Sequence, residues 1–183
     1  MEIVVVDLLG PFPESQAGNT YIMVASDYFT LCVDAYPVPN QEATTVAKKL
    51  TDEFFRFSPP EQLHSDQGRQ FESNIIAEIC KELGILKTRT TPYHPQSDGL
   101  VEGFNRPLLG MLAKAVKEHP FEWEGHLRHL CMTYNTSVHP PTGYTPLYLM
   151  FGRQVHMPID IMFSTTPSHT QSQSEYANHL RQA

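Results

Sequence analysis

Cysteine is scarce in this chain. The 183 residues hold only Cys32, Cys80 and Cys131, far apart and odd in number. They form no CxxC pair, which argues against a zinc ribbon or a disulfide scaffold and fits a reducing compartment. Long apolar runs are lacking too. No stretch of 18 apolar residues occurs, so no transmembrane helix and no membrane partner are expected. The first residues, Met1-Glu2-Ile3-Val4-Val5-Val6-Asp7, lack the basic segment of a signal peptide. Positive charge is short as well: Lys and Arg number 13 against 20 Asp and Glu, a net charge of −7. Nucleic-acid binders ordinarily carry a basic footprint. A nucleic-acid site here must therefore be local, or must use metal ions to offset carboxylate charge. No internal repeat is present.

Apolar residues make up 40% of the chain, enough for one buried core, and the 15 prolines mark many turns. Ile3 to Leu9 is apolar without alternation and reads as a strand buried on both faces. Residues 21–25 and 31–36 read as two further strands, joined by a short link, so the first three strands should form an antiparallel meander. Asp27 should serve the turn between them, and Asp34 should face outward. Asn40 can cap a helix whose core face is Ala43, Val46, Ala47, Leu50, Phe54 and Phe57. Pro59-Pro60 stops it. Residues 61–66 form a short strand, and residues 73–83 a helix with Ile75, Ile76, Ile79, Cys80 and Leu83 inward and Gly84 as its stop. A fifth strand spans residues 85–90. Strands alternating with helices over this half imply parallel crossovers. After a loop from Pro92 to Gly99 comes a helix to about Glu118. Further helices follow over 121–134 and 147–151.

Three carboxylates stand out by context. Asp7 lies inside a buried strand, where a carboxylate costs several kcal/mol unless paired, hydrogen-bonded or bound to metal. A neighbouring backbone group or Lys could equally satisfy it. Asp66 ends a strand before a Gly turn, a position that projects into a cleft. Glu102 sits on the helix whose apolar stripe is Leu100, Phe104, Leu108, Met111, Leu112 and Ala115, nearly opposite that stripe. Taken alone it would be an ordinary solvated Glu. His64-Ser65-Asp66 has the residue types of a hydrolase triad, but consecutive strand residues point to alternate faces and cannot converge. His126 and His129 could share a helix face, yet no further ligands complete a zinc site.

The motifs Val-Asp-Leu-Leu-Gly-Pro at Asp7, His-Ser-Asp-Gln-Gly-Arg-Gln-Phe at Asp66, and Tyr-His-Pro-Gln-Ser-Asp-Gly-Leu-Val-Glu-Gly-Phe-Asn-Arg through Glu102 stand at characteristic intervals. Thirty-five residues separate Asp66 from Glu102. Together they resemble the catalytic core of retroviral and retrotransposon integrases. The later segment from Asn135 to Pro146, with Phe151-Gly152-Arg153, resembles the gypsy-type branch of LTR retrotransposons. The resemblance implies an α/β, ribonuclease H-like fold: a five-stranded mixed sheet with helices on both faces. It divides the chain into a core, 1–160, and a polar tail, 161–183. Asp7, Asp66 and Glu102 would be the catalytic residues and the ligands of two Mg²⁺ or Mn²⁺ ions, a set that suits hard cations. The implied chemistry is metal-dependent DNA end processing and strand transfer in the nucleus, with element ends and target DNA as partners. The resemblance assigns DNA contacts to Tyr93, His94, Gln96, Asn105 and Arg106, with Arg69 and Lys87 as weaker candidates. It also implies a homo-oligomer. The family's flanking domains are not visible, so a fragment of a longer polyprotein or a truncated copy is expected.

Two positions depart from the pattern. Family members usually carry a larger, often basic residue where Gly103 stands and commonly Thr where Pro107 stands. Within a helix, Pro107 costs about 3 kcal/mol and Gly103 about 1 kcal/mol relative to Ala. A kink between them is expected, with weaker metal binding at Glu102. An integrase-derived binding or scaffold module without catalysis is thus the alternative reading. A ribonuclease H or an insertion-sequence transposase on the same fold is disfavoured by the gypsy-like segment.

Overall fold

The unalternating apolar run Ile3–Leu9 becomes strand β1, at the centre of the sheet. The structure is a computed structural model. It describes residues 1–56, 58–90, 95–117, 119–155, 157 and 162, leaving aside the side chains of 55, 56 and 95–103. Strand β2 is Tyr21–Asp27 and β3 is Val33–Val38; they continue the antiparallel meander from β1. Strands β4 (Gln62–Ser65) and β5 (Leu86–Arg89) add in parallel on the other side. The sheet order is β3-β2-β1-β4-β5, five strands and mixed.

Strand parity sorts the side chains between two cores. Val4, Val6, Met23 and Ala25 face helices α1 (Ala43–Arg56) and α2 (Asn74–Glu82). There Val46, Leu50, Phe54, Ile76 and Cys80 pack against them. Ile22, Val24, Val33 and Ala35 face helices α3 (Pro95–Ala115) and α4 (Trp123–Thr136), against Phe104, Leu108, Leu112, Trp123 and Leu127. Helices therefore cover both faces, as expected. A short helix α5, Pro146–Phe151, ends the described fold, with Thr145 capping it through Tyr148 N–H at 3.2 Å. No described helix is long and apolar enough to cross a membrane.

Local signals held where a side chain could act alone. Asn40 accepts from Glu42 N–H at 3.0 Å ahead of α1. Asp27 closes its turn by accepting from Thr30 N–H and Oγ1, at 2.9 and 2.7 Å. Gly84 takes φ +69 behind α2, a left-handed backbone that glycine adopts at no steric cost. Other expectations need correction. Helix α3 starts at Pro95 rather than after Gly99, because proline is suited to a first helical position. Ile75 and Leu83 are exposed, since α2 buries only the narrow stripe of Ile76 and Cys80 with Ile79 at its edge. Asp34 is half-buried and accepts from Tyr36 Oη at 2.9 Å. Helix α3 runs from Pro95 to Ala115 with Pro107 inside it. Phe57 and the tail 161–183, residue 162 apart, lie outside the described residues.

Candidate active site

Asp7 and Asp66 meet because β1 and β4 are parallel neighbours. Val6 pairs with Ser65, so the next residue on each strand line is Asp7 beside Asp66. Adjacent strands lie about 4.8 Å apart, and equal parity puts both side chains on one face. On β1 that face is also Leu9's, which packs in the α3–α4 core. Asp7 is half-buried, Asp66 exposed.

Each carboxylate is held by backbone. Asp7 Oδ1 accepts from Leu8 N–H at 2.7 Å, and its Oδ2 accepts from Asn105 Nδ2 at 2.7 Å. Burial pushes the Asp7 carboxyl up. The bonds from Leu8 and Asn105 oppose that rise, and the negative charge of Asp66 adds to it. Asp66 Oδ1 accepts from Gly68 N–H at 2.9 Å, the tight turn expected of Asp-Gln-Gly. A Cβ on Gly68 would crowd the Gln70 side chain and stand 2.9 Å from Asp66 Oδ1. This position therefore favours glycine for closeness, not for backbone sign.

Helix α3 supplies the third wall. Phe104, Leu108 and Leu112 are nearly fully buried at a spacing of four and fasten it to the sheet. That docking carries Asn105 to Asp7. Asn105 is 9% exposed, and its Oδ1 is buried with no hydrogen-bond partner among the described residues. Glu102 lies on α3 one turn before Asn105, about 60° around the helix from it. Its side chain lies outside the described residues.

The remaining expected residues are dispersed. Tyr93 and His94 lie outside the described residues. Gln96 is in the first turn of α3, its side chain likewise outside. Arg106 and Arg69 are exposed. Asn105, expected to meet DNA, is turned inward onto Asp7. Lys87 is half-buried and fully engaged: its Nζ donates to Ser65 Oγ at 2.7 Å and Thr88 O at 2.8 Å, and it pairs with Glu72 at 3.8 Å. The triad reading fails in space as it did in sequence. His64 is bonded to the Thr88 hydroxyl at 2.9 Å, while Ser65 Oγ donates to Asp66 O. Among the described residues no three His, Cys, Asp or Glu gather as a metal group.

Sequence reasoning missed that Asn105 holds Asp7, a contact across 98 positions with no local signature. It also missed the Lys87–Ser65 contact, which depends on β4–β5 register and has no local signature.

Known proteins resemble this chain in sequence and fold. The integrase core domain family matches residues 1–95. The Pol polyprotein of transposon 412 from Drosophila melanogaster is 31% identical over 156 residues, 85% of this chain and 13% of that protein. The Pro-Pol polyprotein of simian foamy virus type 1 is 35% identical over 153 residues, 84% of this chain and again 13% of that protein. The chain thus spans about an eighth of these polyproteins. Among solved structures, the catalytic core of BIV integrase superposes with a TM-score of 0.66 at 30% identity, covering 81% of this chain and 92% of that one. The HTLV-2 integrase catalytic core, in complex with magnesium and in a trimeric form, gives a TM-score of 0.65 at 19% identity over 80% of this chain and 93% of that one, a likeness of fold. Sequence likeness over half the chain, and likeness of both sequence and fold across nearly all of a solved core, agree: this ribonuclease H-like chain belongs to the integrase core domain family.

Proposed function

We propose that this chain carries out DNA integration chemistry: metal-dependent trimming of retroelement DNA ends and their transfer into target DNA. Asp7, Asp66 and Glu102 are its metal ligands, for Mg²⁺ or Mn²⁺ at two ions per site. The observation that carries this reading is the side-by-side placement of Asp7, within β1, and Asp66, just past the end of β4, with α3 docked on Asp7 through Asn105. The donor set fits a hard divalent cation. Two carboxylates of like charge stand together, and Asp66 adds to the upward push on the Asp7 carboxyl, a repulsion that a cation relieves. The buried Asn105 Oδ1 beside them is a further acceptor that no described residue satisfies. The magnesium bound by the HTLV-2 core supports the choice of ion.

When bound, such ions stabilise the attacking and leaving oxygens of an in-line phosphoryl displacement. The chain's own part is positioning. Leu8 N–H and Asn105 fix both oxygens of Asp7, Gly68 N–H fixes Asp66, and α3 brings Glu102 to their side of the sheet. Arg106 and Arg69, exposed, are the cations offered to a DNA backbone, together with Tyr93, His94 and Gln96. The setting is the nucleus and the working form a homo-oligomer.

The test is strand transfer on a short duplex bearing the element's own terminal sequence, in Mg²⁺ and in Mn²⁺, with Asp66→Asn as control. Metal-dependent joining that Asp66→Asn abolishes is expected; equal activity in EDTA would overturn the reading. Pro107 within α3 favours a second reading, an impaired integrase-derived scaffold module. Joining by a Gly103→Arg, Pro107→Thr variant but not by the parent chain would support that one.

A further inference from the structure

Lys87 stands among the basic residues expected near DNA, yet its ammonium group is turned into the fold. Its side chain is only 18% exposed, against 60% for Arg89 two residues on. An ammonium has three donors, and two hydrogen-bond acceptors and one ion-pair partner surround this one. They are Ser65 Oγ at 2.7 Å, Thr88 O at 2.8 Å and the Glu72 carboxylate at 3.8 Å. Ser65 is 1% exposed, and its single hydroxyl proton goes to Asp66 O at 2.8 Å. The bonds therefore run in one direction, from Lys87 Nζ to Ser65 Oγ to the carbonyl of Asp66. Such a chain polarises along its length and is stronger than its parts. Glu72 closes the other side. It follows the turn that Asp66 begins, Phe71 beside it is a buried plug, and its second oxygen meets Arg89 at 3.2 Å. The segment from Asp66 to Glu72 is thus tied at both ends to β5.

We infer that Lys87 is a positioning residue for Asp66, acting through the Ser65 hydroxyl at one end of the turn and the Glu72 carboxylate at the other, and is not a DNA-phosphate contact. The inference rests on the reading of Asp66 as a metal ligand. Burial pulls the Lys87 ammonium below its ordinary range, and Glu72 holds it up against that pull.

The test compares the full chain with Lys87→Met, Ser65→Ala and the double variant. Amide hydrogen exchange is measured over residues 66–72, Mn²⁺ affinity by calorimetry, and kcat and KM for a DNA-end substrate. Positioning predicts exchange at Gly68 and Glu72 faster by roughly tenfold and Mn²⁺ affinity lower by roughly tenfold. It also predicts a fall in kcat with KM for DNA unchanged, and a double variant no worse than the stronger single one, because both cut one relay. Two results would overturn the inference. One is unchanged exchange. The other is DNA affinity that weakens uniformly, with a salt slope reduced by about one. If the parent chain binds no Mn²⁺, the integrase reading fails while hydrogen exchange still decides the role of Lys87.

Discussion

Asp7 is a carboxylate kept under tension. Burial and the charge of Asp66 raise its pKa; Leu8 N–H and the Asn105 amide resist. The folded chain therefore binds this proton more tightly than the unfolded chain. Stability falls as pH rises from the ordinary carboxylate value of about 4 through the raised folded value, and the cost is complete above it. Asp7→Asn removes the charge, and its new amide can donate to the orphaned Asn105 Oδ1. In EDTA we expect Asp7→Asn to melt higher than the parent at pH 7, with the gap closing as pH falls through that interval. Thermal melts of both chains across pH 4–8 measure this. A gap of the same size at every pH would show that the charge is not the cause. The carboxylate itself was legible in the sequence, because an Asp within an unbroken apolar strand needs an explanation. Its amide partner, 98 positions away, was not.

At the scale of the element, α3 shows packing overriding propensity. Gly103 and Pro107 cost about 1 and 3 kcal/mol in a helix interior. Phe104, Leu108 and Leu112, each nearly fully buried, return about 1.5–3 kcal/mol apiece. The helix accordingly continues through Pro107 to Ala115. Because Pro107 is exposed, Pro107→Thr restores a backbone donor without crowding the core. It should stabilise the chain by about 1–3 kcal/mol, read as a shift of the urea midpoint at unchanged m-value. Helix α4 is fastened differently. Buried Asn135 accepts from Val33 N–H at 3.0 Å and donates to Val33 O at 2.8 Å, completing the outer edge of β3 as a further strand would. Asn135→Ala leaves both groups without that partner and should destabilise by about 2 kcal/mol or more, visible in the same unfolding experiment. A cost under about 0.5 kcal/mol would mean that water replaces the amide.

For the whole molecule, a net charge of −7 and a site with two neighbouring carboxylates point the same way. Under the proposed function, the apo protein concentrates negative charge where its DNA substrate would come, and divalent cations are what can reverse it. A ligand that binds only the folded state raises its stability by mass action, about 2.7 kcal/mol at a hundredfold excess over Kd. At about 2–4 °C per kcal/mol for a chain of this size, saturating Mn²⁺ should raise Tm by several degrees. Asp7→Asn and Asp66→Asn should each remove most of that rise, while Asp34→Asn, outside the site, should keep it. Differential scanning fluorimetry with and without the ion checks the three variants together.

Sequence alone determined the strands, the two amphipathic faces of the sheet, and the capped and stopped ends of α1 and α2, and it marked Asp7, Asp66 and Glu102 as candidates. These follow from periodicity, turn chemistry and motif spacing, all of which act over a few residues or along one chain segment. Tertiary structure decided the rest. The β1–β4 register set Asp7 beside Asp66, the docking of α3 turned Asn105 inward onto Asp7, and the β4–β5 register placed Lys87 on Ser65. Each of those contacts joins groups more than twenty positions apart. Their partners are chosen by which faces pack and in what register, and no local pattern of residues encodes that choice.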